Sequence, residues 1–297
     1  MNVPMPVVRT IVRTTVKPIL GDRLKPPLQR RLLDVLTKVS FLPPGTRSES
    51  TALGGVDCDR IVTPTSRPER ALLYLHGGAY TVGSRTTHRA VATYLTHRLG
   101  AVGHLLDYRM APEHPYPAAV DDALAAYRAL LDDEHGAREI IVAGDSAGGG
   151  LTLALALRLR EVGLPQPAAL GLISPWVDLT LENIDESIDD PLLTRAWAER
   201  SAQDYAGDDR RRPEVSPLFA DLTGLAPMVI QAASDEIIRG DIERLVGVAE
   251  AAGVPVTFQL LEGHWHVSHL FAGLMRESTE VTDLLGTALA ATLVPAH

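Results

Sequence analysis

Residues 139–157 read EIIVAGDSAGGGLTLALAL, an apolar run that ends in a cluster of glycines around a single serine. The letters EIIVA are typical of a buried strand, and the alanine- and leucine-rich segment after them is typical of a buried helix. Between them, GDSAG at 144–148 matches the pattern G-x-S-x-G, in which a sharp strand-to-helix turn exposes the central serine. This context predicts that Ser146 is a nucleophile.

The flanking strand and helix carry that prediction more than the five letters do. The glycine content alone would produce the pattern in about one chain in ten of this length. The alternative is an ordinary helix N-cap, in which Ser146 would accept hydrogen bonds from the first helical amides. A cap does not require glycines on both sides of the serine, whereas a tight turn packed against neighbouring strands does.

The alternation of strand and helix extends along most of the chain. The predicted strands lie at 70–77, 102–109, 139–144, 169–176, 227–234 and 255–263. Helical patterns lie between them at 87–100, 117–133, 150–163 and 241–253. Apolar strands that alternate with amphipathic helices predict an α/β fold, with a mostly parallel sheet and helices on both of its faces.

The first 45 residues do not follow this alternation. They contain a basic amphipathic helix that should end at Pro18 and a second helix at 26–40. The apolar side of the first helix consists of Val8, Ile11, Val12 and Val16. Such a helix most often packs against its own protein, although it can also lie on an anionic membrane surface.

A second segment, 178–216, is polar and acidic, with one predicted helix around 192–205. Its composition fits an insertion above the sheet better than a layer of the sheet. We expect this insertion and residues 1–45 to form a small helical cap. The catalytic core would then consist of 46–177 and 217–297, within a single domain.

Composition narrows the classes of partner. The chain has 297 residues and a formal net charge of −9, which argues against a nucleic-acid partner. Residues 1–50 contain nine Lys/Arg and three Asp/Glu, net +6, so the remaining residues carry −15. No apolar stretch is long enough to span a bilayer, and stable membrane insertion is not expected. The single cysteine, Cys58, cannot form an internal disulfide, so a reducing, cytoplasmic setting follows most simply.

A serine nucleophile needs an adjacent base, and in this type of turn an acid and then a histidine follow at the ends of later strands. The strand at 227–234 ends immediately before Asp235, which is the preferred acid, with Glu236 as the weaker alternative. Asp241 opens the next helix and is better explained as an N-cap. Placement after the last strand does not choose among three histidines, His264, His266 and His269.

The strand at 70–77 leads into HGGAY at 76–80. Each glycine at a strand end costs about 0.5–1 kcal/mol relative to alanine, so bare backbone there should have a use. With a nucleophilic serine downstream, Gly77 and Gly78 would present main-chain amides to an oxyanion, and Ala147 would present a third. The alternative is a tight turn that uses glycine for its positive φ.

Together these motifs resemble the hormone-sensitive-lipase-like esterases of the α/β-hydrolase superfamily. The matching segments are HGGAY at 76–80, DYRMAPEHPYPAAVDDA at 107–123, GDSAGGG at 144–150, SPW at 174–176, SPLFADLTGLAPMVIQAASDE at 216–236 and EGHWH at 262–266. The resemblance implies an α/β-hydrolase fold, with His266 as the base and Asp235 as the acid. It also implies small, short-acyl substrates, because the caps of this family are small.

We therefore expect a serine carboxylesterase that hydrolyses short- to medium-acyl esters through Ser146, Asp235 and His266. A lactonase, an amidase or a natural-product deacetylase could use the same triad. A non-catalytic ligand-binding receptor on this scaffold is disfavoured by the presence of His266. The expected partner is a small-molecule ester, no metal or organic cofactor is implied, and the sequence leaves a homodimer open. Four aromatic residues could line the pocket or equally pack the cap and core: Tyr80, Trp176, Trp197 and Tyr205.

Overall fold

The computed structural model describes residues 2–21, 23–133 and 136–293. In that part of the chain, eight strands form one sheet in the order β1-β2-β4-β3-β5-β6-β7-β8. Their bounds are β1 Arg47–Leu53, β2 Val56–Val62, β3 Ala71–Leu75, β4 Val102–Leu106, β5 Ile140–Asp145, β6 Ala169–Ile173, β7 Met228–Asp235 and β8 Val256–Trp265. Strand β2 runs antiparallel to both of its neighbours, and the other pairs are parallel. The predicted α/β fold with a mostly parallel sheet is confirmed.

Helices cover both faces of this sheet. Their bounds are α1 Met5–Ile11, α2 Lys17–Ile19, α3 Pro26–Leu36, α4 Arg85–Leu99, α5 Ala118–Asp132, α6 Ala147–Glu161, α7 Arg195–Ala206, α8 Arg239–Ala251 and α9 Arg276–Ala290. A π-helical turn at Val12–Val16 joins α1 to α2, so the helical path ends at Ile19 rather than at the predicted Pro18. Proline is tolerated there because the amides of a first turn have no acceptor within their own helical segment.

The core lies on both sides of the sheet because successive side chains of a strand point to opposite faces. On β3, Leu73 and Leu75 pack into the cluster that includes α5, α6 and α8. Leu72 and Tyr74 pack on the other face, against α4 and α9. All of these side chains are fully buried, and a buried leucine contributes about 1.5–3 kcal/mol. Burial on both faces explains why the central strands read as continuous apolar runs.

The hairpin of β1 and β2 was not predicted from the sequence. Strand β1 reads RSESTAL and is exposed along its length except at Leu53, so it lacks the apolar run that marks a strand. Gly54 and Gly55 form the two-residue loop, with φ of 60° and 82°. Paired positive φ values are typical of the turn that best matches the twist of a hairpin.

Two segments approach the carboxyl edge of the sheet from outside the alternation of strands and helices. Arg30, on α3, donates to the carbonyl oxygens of Thr81 and Ala111 at 2.8 and 2.7 Å. The Lys17 Nζ donates to the carbonyl oxygen of Asp190 at 2.5 Å, which joins the N-terminal helices to the 178–216 insertion. Within the described ranges, no helix combines the length and the apolarity needed to cross a bilayer.

The hairpin loop offers a matched test of backbone packing. At Gly54 an added Cβ would lie 2.2 Å from the carbonyl oxygen of Ala125, whereas at Gly55 nothing lies within 4 Å. Both alanine substitutions force an L-residue to positive φ, which costs about 1–2 kcal/mol. Only Gly54→Ala also collides with the α5 backbone, so its total cost should reach about 2–5 kcal/mol. Urea unfolding of both variants measures the difference, and equal losses of stability would contradict the close contact of Gly54 with α5.

Candidate active site

Ser146 lies on the turn between β5 and α6 in a strained backbone conformation, with φ of 51° and ψ of −120°. A non-glycine residue in such a region costs about 1–3 kcal/mol and persists only where its surroundings fix it. The Ser146 amide donates to the carbonyl oxygen of Ile173 at 2.9 Å, and the Ser146 carbonyl oxygen accepts from the Trp176 amide at 2.8 Å. Main-chain hydrogen bonds to the neighbouring strand end thus fix the turn. The Ser146 side chain faces a cavity.

The glycines around Ser146 are required by close packing. A Cβ at Gly148 would lie 2.0 Å from the carbonyl oxygen of Leu75, at the end of β3. A Cβ at Gly144 would lie 2.3 Å from the carbonyl oxygen of Gly148. Any side chain at these positions would push the serine turn away from the adjacent strand, and this explains the G-x-S-x-G spacing better than helix capping does. The Ser146 side chain also makes no capping hydrogen bond.

Three polar side chains form a hydrogen-bonded row at the carboxyl edge of the sheet. His266 Nε2 lies 2.9 Å from Ser146 Oγ, and His266 Nδ1 lies 2.7 Å from Glu236 Oε2. The second oxygen of Glu236 accepts the Ala233 amide at 2.7 Å. All three side chains are buried, with Ser146 the most exposed at 8%. The histidine that the resemblance selected therefore lies beside the predicted serine.

The prediction that Asp235 holds this histidine is wrong. Its side chain is a third exposed and accepts hydrogen bonds from Arg9 and Ser234. Burial opposes its ionisation, but the hydrogen bonds from Arg9 and Ser234 hold the pKa of Asp235 below its usual value. After an irregularity in the pairing of β7 with β8, Asp235 pairs with Trp265 as a strand residue. Consecutive residues at a strand end point in opposite directions, so Glu236 faces the imidazole.

The role predicted for Gly77 is also wrong. The Gly77 amide donates to Asp145 Oδ1 at 3.1 Å and therefore points away from Ser146, into the protein. The next two amides, of Gly78 and Ala79, form no hydrogen bond with any described residue. Both residues have positive φ, 116° and 53°, and a Cβ at Gly78 would lie 2.2 Å from the carbonyl oxygen of Val82.

Gly78 and Ala79 lie in the walls of cavities that also contain Ser146. Ala147 is the first residue of α6, where a helical amide has no acceptor within its own helix. The free main-chain donors next to Ser146 are thus Gly78, Ala79 and Ala147.

Asp145, the residue before the serine, has a structural role that was not predicted from the sequence. Its carboxylate is buried and accepts the Tyr74 hydroxyl at 2.9 Å, and His88 Nε2 lies 3.2 Å from its other oxygen. Burial opposes the charge, but His88 and the Tyr74 hydroxyl hold the pKa of Asp145 below its usual value. Burial and the neighbouring His88 lower the pKa of His76 to about 3, so His76 packs as a neutral ring against Tyr108.

A cavity of about 290 Å³ opens over Ser146 and His266. Side chains from α1, the turn after it and α3 form one wall, and Leu192, Leu193 and Trp197 form another. A second cavity of about 10 Å³ adjoins Ser146, with Leu193, Trp176 and Trp197 among its lining residues. Ser146 thus separates one large and one very small apolar space.

The four predicted pocket aromatics divide between these spaces and the core. Trp197 lines both cavities, and Trp176 lines the small one. Tyr80 and Tyr205 are fully buried and stack on each other, with ring centroids 3.7 Å apart and planes at 2°. Neither tyrosine contributes to the walls of the two cavities.

Asp190 joins the 178–216 insertion to the loop that carries Glu236. Its buried carboxylate accepts the amides of Leu192 and Leu193 at 2.8 and 3.0 Å through Oδ1, and the Ile237 amide at 3.3 Å through Oδ2. Burial raises the pKa of Asp190. The residue was hidden in the sequence within the acidic run ENIDESIDD, in which nothing sets it apart from exposed neighbours.

This arrangement predicts that Asp190→Asn destabilises the protein while Asp189→Asn leaves the unfolding free energy nearly unchanged. An amide has only one acceptor oxygen, so the substitution leaves a buried backbone N–H unpaired, at a cost of about 1–3 kcal/mol. The neighbouring Asp189 is exposed, and its pair with Arg13 lies in solvent. Chemical denaturation of both variants provides the comparison. Equal stability of the two would contradict the described role of the Asp190 carboxylate.

Comparison with known proteins gives matches over nearly the whole chain. A family model for the alpha/beta hydrolase fold matches residues 72–270. An acetyl-hydrolase of Streptomyces hygroscopicus is 42% identical over 232 residues, which cover 77% of this chain and 78% of that protein. An esterase of Acinetobacter venetianus is 36% identical over 278 residues, with 91% of each chain covered.

A solved structure gives the same result in three dimensions. The crystal structure of a hormone-sensitive lipase from a metagenome library superposes with a TM-score of 0.93 at 35% identity. The superposition covers 99% of this chain and 100% of that one. The similarity therefore includes the N-terminal helices and the 178–216 insertion as well as the sheet.

Proposed function

This chain belongs to the α/β-hydrolase fold family and is an ester hydrolase of the hormone-sensitive-lipase type, and we propose that it cleaves short- to medium-acyl esters through an acyl-enzyme on Ser146. The observation that carries the proposal is the row Ser146–His266–Glu236, with contacts of 2.9 and 2.7 Å, in the wall of an apolar cavity. In this proposal Glu236 takes the role that the sequence favoured for Asp235.

In the first half of the reaction, Ser146 Oγ attacks the ester carbonyl carbon while His266 Nε2 accepts the hydroxyl proton. Glu236 orients the imidazole through Nδ1 and stabilises the cation that forms. The carbonyl oxygen becomes an oxyanion, and the free amides of Gly78, Ala79 and Ala147 donate to it. The loss of one such donor typically costs about 2.7–4 kcal/mol in the barrier.

The same groups then release the alcohol, which completes the first half, and act on a water molecule in the second half. His266 gives its proton to the leaving alcohol, whose departure leaves the acyl group on Ser146. His266 then accepts a proton from water, whose oxygen attacks the acyl carbonyl carbon. The bond from that carbon to Ser146 Oγ breaks as His266 returns the proton to Oγ, and the carboxylic acid leaves. Because the amides of Gly78, Ala79 and Ala147 are fixed by the fold before the substrate arrives, they need no reorganisation in the transition state.

The two spaces on either side of Ser146 support a preference for short acyl groups. The small cavity, about 10 Å³, holds little more than one water-sized group, so it suits the methyl of an acetyl group, and the large one, about 290 Å³, suits the remainder of the ester. The name of the Streptomyces relative, an acetyl-hydrolase, agrees with this assignment. The walls of both spaces include residues from 178–216, and the large one also includes residues from 1–45, which supports their role as a cap over the core.

Other hydrolases with the same triad remain the competing function. A lactonase, an amidase or a natural-product deacetylase would use the same serine, histidine and donors, and they differ only in the leaving group. Assays that compare butyrate esters with lactones and anilides separate these activities. A non-catalytic receptor is disfavoured because His266 is in contact with Ser146.

The proposal predicts that Glu236→Gln and Asp235→Asn behave differently. Glu236→Gln leaves the imidazole without its anionic partner, so kcat should fall by about 10²- to 10⁴-fold while KM changes little. Asp235→Asn should keep kcat near the parent value, because Asp235 does not contact His266. Steady-state kinetics with p-nitrophenyl butyrate provides the measurement. A greater loss of kcat in Asp235→Asn than in Glu236→Gln would overturn the assignment.

Ser146→Ala provides the control for this comparison. An organophosphonate should label the parent protein, Glu236→Gln and Asp235→Asn at different rates but should not label Ser146→Ala. Intact-mass measurement detects the adduct. Labelling of Ser146→Ala to the same extent as the parent would place the nucleophile elsewhere.

The acyl preference has its own test in the two adjacent leucines of the insertion. Leu193 lines both cavities, whereas Leu192 lines only the large one. Across p-nitrophenyl esters from acetate to palmitate, kcat/KM should be highest for short chains and lower by at least about tenfold for palmitate. Leu193→Ala enlarges the small space and should raise the ratio of octanoate to acetate hydrolysis. Leu192→Ala serves as the matched control, and a parent preference for palmitate would overturn the assignment.

A further inference from the structure

The exposed apolar side chains of this protein are concentrated on its N-terminal helices. Among the described residues, ten large apolar side chains are more than a third exposed, and seven of them lie between residues 7 and 39. These seven are Val7, Ile11, Leu28, Leu32, Val35, Leu36 and Val39. Val35 and Val39 are 73% and 77% exposed, so neither side chain is buried by the rest of the protein. Such a cluster marks an interaction surface when it is contiguous and rimmed by polar groups.

Helix α3 has two apolar sides, and only one of them packs against the protein. Pro26 and Leu33 are buried on the packed side. The exposed side has apolar residues at helical spacing, namely Leu28, Leu32, Val35 and Leu36. The buried side attaches α3 to the core. Packing against the core therefore does not account for the apolar residues on the exposed side.

The edge of this exposed cluster is basic. Arg23, Lys25, Arg31 and Lys38 are exposed, and none of them forms an ion pair with another described residue. Arg9, Arg13 and Arg30 are instead paired with carboxylates, and Lys17 donates to the carbonyl oxygen of Asp190. Residues 1–50 carry a net charge of +6 on a chain whose remainder carries −15. Positive charge is thus gathered beside the apolar cluster on an otherwise acidic molecule.

The same surface surrounds the mouth of the cavity. Ile11, Leu36 and Val39 are exposed to solvent and also line the cavity that contains Ser146. The docking face, defined as the seven apolar side chains together with the four unpaired cations, therefore continues into the proposed catalytic cavity through Ile11, Leu36 and Val39.

We propose that this docking face rests on an anionic lipid surface, from which an apolar ester enters the cavity directly. The inference rests on the proposed function and adds the source of the substrate. Helices with exposed apolar side chains and a cationic edge match the interfacial region of an anionic bilayer, in which the apolar groups enter the acyl boundary and the cations meet the headgroups. A second copy of this chain fits the face poorly, because two such copies would bring like charges together and close both cavity mouths.

The test is co-sedimentation of the full-length protein with vesicles of phosphatidylcholine alone or with about a third phosphatidylglycerol. The parent protein should bind the anionic vesicles, bind neutral ones weakly, and lose binding as salt is added. The double variant Leu28→Ser/Val35→Ser, whose positions do not line the cavity, should reduce the partition coefficient by at least about tenfold. Arg31→Gln/Lys38→Gln should reduce binding to the anionic vesicles only.

Two controls keep the outcomes distinct. Val162→Ser removes an exposed apolar side chain elsewhere on the surface and should bind like the parent. Ser146→Ala should also bind like the parent, because binding does not require turnover, so the docking inference and the proposed chemistry can fail separately. Hydrolysis of water-soluble p-nitrophenyl acetate by Leu28→Ser/Val35→Ser shows that the variant is folded.

Either of two results would overturn the proposal. One is equal sedimentation of the parent and of Leu28→Ser/Val35→Ser with anionic vesicles. The other is a parent dimer, measured by light scattering, that becomes a monomer in that double variant, which would assign the docking face to a subunit interface.

Discussion

The buried carboxylate of Asp145 joins the two loops on which the site is built. It accepts the Tyr74 hydroxyl from β3 and the amide of Gly77, and His88 from α4 lies against its second oxygen. One buried charge thereby fixes the HGGAY loop relative to the serine turn. The Gly77 amide is bonded to Asp145, whereas the amides of Gly78 and Ala79 form no hydrogen bond with any described residue. A fixed set of donors is what stabilisation of an oxyanion requires.

The identity of the acid that contacts His266 could be narrowed from the sequence but not decided by it. Chain order allows Asp235, Glu236 or Asp241 as the acid, and placement at the carboxyl end of β7 favours the first two over Asp241, which was interpreted as a helix N-cap. Position directly after the strand and the family resemblance both favoured Asp235. The pairing of β7 and β8 decides otherwise, because an irregularity after Ala233 keeps Asp235 in the strand and turns the next side chain toward His266. Irregular pairing of this kind leaves no mark in composition or periodicity.

Burial explains which parts of the fold were predicted from the sequence and which were missed. Strands β3 to β7, which are almost wholly buried, need continuous apolar residues, and all five were predicted, as was the partly exposed β8. The hairpin of β1 and β2 was missed because exposure of β1 removes that requirement. Asp190 was missed because its burial depends on where the insertion folds back, and an acidic run predicts solvent exposure. The serine turn was predicted because its backbone packs so closely against Leu75 that only glycine fits at Gly144 and Gly148. A requirement for glycine is visible in the sequence.

The stacked rings of Tyr80 and Tyr205 link the HGGAY loop to α7. Tyr80 follows Ala79 directly, and a left-handed backbone at both positions leaves the loop little freedom to adjust alone. The insertion and the loop must therefore diverge together over evolutionary time. A chimera that receives the 178–216 segment of a relative would need the matching aromatic partner in the loop, or the transplanted helix would displace the amides beside the serine.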